Sequence, residues 1–298
     1  MIKNKFAKTL NHIMIKKNII LTLSLFLLPF LSFSQHSELG ITLGISAYQG
    51  DLSPSKSRLK PGQINPMVGI FGKYNFNRFI VARAGFNYAI LSAEGSESTI
   101  EASIIKNLSF RSNILEGNLM LEINILGYEP YNLEKPWSPY VFAGIAFFHY
   151  NPKAKYDGDW VELQPLGTEG QGLSAYPDQK PYNLNSFAIP MGGGVKFALS
   201  DSWNIAAEAG VRRTFTDYID DVSGSYVEES LLLEKNPLSA ALANRSGEPI
   251  EAGRGRGNDQ VSDWYAFIGI TLSRNFLDNG LVGSRRRGRK SKTGCPTF

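Results

Sequence analysis

The chain has 298 residues, 31 Lys and Arg against 27 Asp and Glu, one Cys, and 43% apolar and 12% aromatic residues. That is too apolar for a disordered chain, and one Cys supplies neither a disulfide scaffold nor a zinc cage. The net charge of +4 belongs to the ends: residues 1–34 carry five Lys and no acid, residues 277–298 six basic groups and one acid, and 35–276 holds 20 basic groups against 26 acidic ones, which argues against nucleic acid as a partner.

At the N-terminus, Lys16 and Lys17 precede the apolar run Ile19 to Phe33, and Ser32 and Ser34 occupy the −3 and −1 places before Gln35. Small residues there mark an export signal, read as residues 1–34 with cleavage after Ser34 and with Met14 as an alternative start. A retained anchor is the competing reading, but 15 apolar residues fall short of the roughly 20 that span a bilayer. No Cys stands near the cut, which argues against a lipid-anchored lipoprotein.

Beyond Gln35 the apolar residues alternate with polar ones, the period of a half-buried strand. The first segment, Glu38 to Tyr48, sets Leu39, Ile41, Leu43 and Ile45 against Glu38, Thr42 and Ser46. Seven more follow, near 66–77, 79–91, 115–125, 140–150, 187–199, 203–212 and 263–276. Their connections alternate in length, tight at 76–78 and 200–202, long at 49–65, 92–107, 151–186 and 217–262, with 127–137 a longer link on the short side. Short periplasmic turns, long outer loops and strands of about 9–11 residues describe an outer-membrane barrel. The expected fold is therefore all-β, an eight-stranded antiparallel transmembrane β-barrel over 35–276. A soluble sandwich is the alternative. Against it stand aromatic residues at strand ends on the apolar face (Tyr74, Phe76, Tyr88, Trp203, Trp264) and charges on the opposite face that a sandwich core would reject.

Those charges are Lys73, Arg83, Lys196 and Arg212 opposite Glu116, Glu122 and Glu208. An eight-stranded bore is just wide enough for side chains to fill, so they are read as pairing across it rather than as a pore or ligand site. Gly192, Gly193 and Gly194 lack the Lys and helix of a phosphate loop and suit a curved wall. Asp217, Asp220 and Asp221 match no EF-hand spacing and are read as solvated or paired with Arg212 and Arg213. After cleavage only His36 and His149 remain. No G-x-S-x-G accompanies His149, so it is read as structural, with no catalytic residue, metal or cofactor expected.

Several stretches resemble one family: SPYVFAGIAFFHYNPKA at 138–154, AIPMGGGVKFALSD at 188–201, EAGVRRTFTDYIDDVSGSY at 208–226, DWYAFIGITL at 263–272 and the closing CPTF. They look like the PorG family, outer-membrane barrels of the type IX secretion system. The resemblance implies a non-enzymatic component of the secretion and gliding motility machinery that contacts the periplasmic ring, whose subunits are of the PorK and PorN types.

The final strand is expected to end at Phe276, leaving 277–298 as a basic periplasmic tail with Arg285, Arg286, Arg287, Arg289, Lys290 and Lys292 and the unpaired thiol of Cys295. Such a cationic segment suits an acidic protein surface or anionic lipid of the outer membrane. A transporter or an outer-membrane enzyme working at the loop mouth is the alternative reading.

Overall fold

The computed structural model describes residues 37–53, 63–95, 105–129, 135–200 and 202–276. The export signal, the basic tail with its six cations, and Cys295 lie outside the described residues.

Ten strands form one antiparallel sheet: β1 (Ser37–Gln49), β2 (Asn65–Asn75), β3 (Ile80–Glu94), β4 (Ser109–Asn124), β5 (Trp137–His149), β6 (Pro152–Tyr156), β7 (Asp159–Glu162), β8 (Asn185–Ala198), β9 (Trp203–Thr214) and β10 (Trp264–Asn275). Eight of them close on themselves. The ladder runs β3-β2-β1-β10-β9-β8-β5-β4, and β3 pairs with β4 to complete the ring. Closure leaves those strands no free edge, as backbone surrounded by lipid requires.

Side-chain parity then sorts the two faces. Leu43, Ile70, Leu119, Ile145 and Ile270 are each at least 57% exposed on the outside, although each sits mid-strand. A soluble domain does not leave so continuous an apolar belt in water. Lys73, Arg83, Glu116 and Glu122 point inward and are at most 6% exposed. A closed wall that is apolar outside and polar within is an outer-membrane β-barrel.

Two features go beyond the eight expected strands. The stretch after β5 is not structureless: β6 and β7 make a hairpin that pairs with the end of β4 at Arg111 and Ser112. Its tip is Asp157–Gly158, both at positive φ, 48° and 97°, the conformation that favours an Asp-Gly turn. The stretch after β9 carries two short helices, α1 (Glu229–Lys235) and α2 (Pro237–Ala243). Asn236 caps α2 by accepting from the Leu238 N–H, and Pro237 stands where a missing N–H costs nothing.

Candidate functional site

The bore is filled along its length by side chains. At the inner end Glu38 accepts from Asn75 Nδ2 at 2.8 Å and from Ser273 Oγ at 2.8 Å. Tyr128, from the β4–β5 connection, reaches in to donate to Asn204 Oδ1 at 2.6 Å. Tyr128, near the start of that longer link, thus forms part of the inner floor.

Glu122, fully buried, sits one layer further out among three cations. Lys73 Nζ lies 3.0 Å and Lys196 Nζ 2.5 Å from its carboxylate, with Arg83 at 3.6 Å. Arg83 forks onto Glu208, at 2.7 Å and 3.1 Å, a bidentate geometry suited to guanidinium. Tyr140 donates to the same Glu208 at 2.7 Å. Glu116 occupies the next layer and accepts from Asn87, Asn118 and Tyr265 at 2.7–2.8 Å and from Arg212 Nε at 3.3 Å.

The seven charges expected in the bore therefore meet one another there, through four carboxylate-centred clusters once Glu38 is included. Glu38 is the acid that the sequence-level pairing omitted. It brings the acids to four, matching Lys73, Arg83, Lys196 and Arg212. The available signal was its parity, since it shares the wet face of β1 with Thr42. Aromatic rings pack against the cations: Arg83 over Phe71 at 4.3 Å, Lys196 over Tyr140 at 4.3 Å and Arg212 over Phe267 at 4.1 Å. Room for the rings comes from glycine. A Cβ on Gly192 or Gly210 would stand 2.7 Å from the tip of Phe142.

The outer mouth is closed by a different chemistry. Tyr48, Leu91, Phe110, Ile114, Phe148 and Tyr265 from the wall pack with Leu52, Ile219 and Val222 from the loops into one apolar plug. Over it the 214–264 stretch is pinned by buried acids. Tyr48 OH stands 2.6 Å from a carboxylate oxygen of Asp220 and 2.6 Å from one of Asp263. Asp220 also accepts from the N–H of Leu52 and Val222, and Asp263 from that of Ile219. Asp221 accepts from Thr168 at 2.5 Å and Tyr182 at 2.6 Å. Arg256 joins Glu169 at 3.0 Å and also donates to the Asp221 carbonyl.

This corrects the reading of Asp220 and Asp221 as solvated or paired with Arg212 and Arg213. Both are buried, Arg212 belongs to Glu116, and the cation beside Asp221 is Arg256. Arg256 lies far along the chain in a Gly-rich stretch with no strand or helix period, so spacing gave no signal for it. Burial pushes the Asp217 carboxyl up to about 7. It pushes Asp221 up to about 6 against the opposing pull of Arg256, and it raises Asp220 and Asp263 well above the ordinary carboxylate range.

His149 lies on the exposed face at the outer end of β5, its Nδ1 3.0 Å from Asn185 Oδ1. The described residues contain no group of three or more His, Cys, Asp and Glu arranged to hold a metal.

Residues 16–234 match the model of a family described as a domain of unknown function, DUF6089. The chain belongs to this DUF6089 family. No curated protein matches it. Among solved structures, the DUF6089 chain is similar to the N-terminal β-barrel domain of Pseudomonas aeruginosa OprF, with 10% identity, a TM-score of 0.34, and coverage of 80% of this chain and 98% of that one. It is similar to Ail, the attachment invasion locus protein of Yersinia pestis, with 9% identity, a TM-score of 0.37, and coverage of 80% and 98%. Neisserial surface protein A matches with 8% identity, a TM-score of 0.38, and coverage of 80% and 96%. The barrel assignment rests on this chain's own strand pairing and surface.

Proposed function

We propose that this DUF6089 protein is a non-enzymatic outer-membrane component of the type IX secretion and gliding machinery, a PorG-type barrel that anchors a periplasmic ring of PorK- and PorN-type subunits. The support for the type IX assignment is the order and spacing of the five sequence stretches that resemble the PorG family. The structural observation that carries an anchoring role is the filled bore. Three buried carboxylates, Glu38, Glu116 and Glu122, and the nearly buried Glu208 balance the four buried cations between an inner floor and an outer apolar plug. A barrel so packed acts through its ends and its lipid-facing wall rather than through a diffusive path.

The inner end is where both chain termini of the barrel emerge, because β1 begins and β10 finishes at the same level: Glu38 pairs with Asn275. On this reading the six cations of 277–298 serve an acidic ring surface in the periplasm.

The test is a pull-down of ring subunits from detergent-solubilised envelope, using the tagged full chain and the same chain truncated at Phe276. Recovery of PorK- and PorN-type subunits with the full chain, reduced tenfold or more by truncation, is the expected outcome. Full-chain protein that folds as a barrel yet recovers no ring subunit sinks the assignment. Equal recovery with the truncated chain sinks the role of the tail.

A further inference from the structure

The β9–β10 ladder carries a cross-strand Arg–Trp pair at each end. Arg213 stands opposite Trp264 at the outer end, and Arg274 opposite Trp203 at the inner end. The arrangement is reciprocal, with the arginine on β9 at one end and on β10 at the other. In both pairs the guanidinium lies over the indole, 5.9 Å from the ring.

All four side chains share the outward parity of their strands. Between the pairs the outward positions are Ile205, Ala207, Ala209 and Val211 on β9 and Ala266, Ile268, Ile270 and Leu272 on β10, without a polar residue. The described residues place no carboxylate within ion-pair distance of Arg213 or Arg274, whereas the four bore cations all have one.

The spacing matches a membrane. Arg213 and Trp203 are ten residues apart on one strand. At about 3.3 Å per residue that is roughly 33 Å along the strand, and a tilt of about 40° leaves roughly 25 Å along the barrel axis. The apolar band of an outer-membrane barrel is about 25 Å tall. The two guanidiniums therefore sit at the two lipid headgroup levels, each beside an indole of the kind that favours that interface.

An arginine facing lipid, with no carboxylate beside it among the described residues, calls for a counter-charge. The chemistry at headgroup depth that supplies one is phosphate, which guanidinium binds through paired N–H donors. We infer that the β9–β10 seam is a binding site for phosphate-bearing lipids, one in each leaflet, with the headgroup phosphate on Arg213 or Arg274 and the acyl chains along the apolar seam. This stands on the barrel alone and does not depend on the secretion assignment.

The probes are dioleoyl phosphatidic acid, dioleoylglycerol and inorganic phosphate, each added to the folded full chain in neutral detergent and read by native mass spectrometry. Arg213→Gln and Arg274→Gln are each expected to weaken retention of one phosphatidic acid by tenfold or more, and the double variant to lose both. Arg→Lys at the same positions keeps the charge and is expected to retain more lipid than Arg→Gln. Lys155→Gln, on the distant β6–β7 hairpin, is expected to match the unaltered chain. Equal retention of phosphatidic acid by the double variant overturns the proposal, and so does equal retention of dioleoylglycerol. Inorganic phosphate that displaces phosphatidic acid at equal concentration overturns the lipid as ligand and leaves a simple anion site. Barrel closure of each variant is checked by its gel shift on boiling.

Discussion

Glu122 is the residue on which most of the bore's charge converges. Replacing it with Gln leaves Lys73 and Lys196 buried without their carboxylate, and breaking one side of a buried pair costs about 3–5 kcal/mol. Glu122→Gln is expected to lower the urea midpoint of the barrel folded into vesicles accordingly, while Glu162→Gln, at an exposed pair with Lys153, is expected to change it by about 1 kcal/mol or less. An equal effect of the two substitutions would refute this account of the bore.

The acids of the cap titrate in the opposite sense to an exposed salt bridge. Asp217 and Asp221 have values raised to about 7 and about 6 from an ordinary 3.8. The closed cap therefore holds protons that an opened loop releases. The stabilisation is complete below about pH 3.8, and it is lost as pH rises through 6 to 7. Amide exchange at Ile219 and Val222, corrected for intrinsic rates, is expected to show less protection at pH 8 than at pH 5, and Asp217→Asn is expected to flatten the dependence. Protection that grows with pH would contradict this sign.

Among the elements, β8 shows how a wall accommodates aromatic rings inside a narrow bore. A Cβ at Gly192 would lie 2.3 Å from the Ala209 carbonyl oxygen on β9, besides meeting Phe142. The obstacle is backbone as well as ring. Gly192→Val is expected to cost about 1–3 kcal/mol, as overpacking does, with the loss read from the same urea unfolding. Lipid-facing Val195→Ala on the same strand removes exposed surface and is expected to cost less.

The strand elements were legible because their period of two was uninterrupted by competing signals. Trp203, Ile205, Ala207, Ala209 and Val211 read as one face, and that is the outward face of β9. The β6–β7 hairpin was missed although its Asp157–Gly158 turn was readable, because four- and five-residue strands carry too few alternations to stand out. Helices α1 and α2 were missed for a related reason: at seven residues each they complete barely two turns.

At the scale of the molecule, closure and a filled bore make distinct predictions. A closed barrel remains folded in cold detergent, so boiled and unboiled samples are expected to migrate differently on a gel. Vesicles carrying the folded chain are expected to show no swelling with small sugars beyond that of empty vesicles. Swelling that grows with protein content would contradict the packing of the bore, even with the gel shift intact.

Alternation and loop lengths by themselves determined the barrel, its strand count and the face on which each charge lies. Parity in a strand is local: once one residue of Leu39 to Ile45 faces lipid, the pleat fixes the others. Which charges meet was decided only by tertiary structure. Arg83 and Glu208 are 125 residues apart, and their contact depends on the register of several ladders around the closed ring. The cap was likewise beyond local reading. Burial there turns Asp220 and Asp221 from surface acids into fastenings for the mouth, and burial is a property of how distant segments pack.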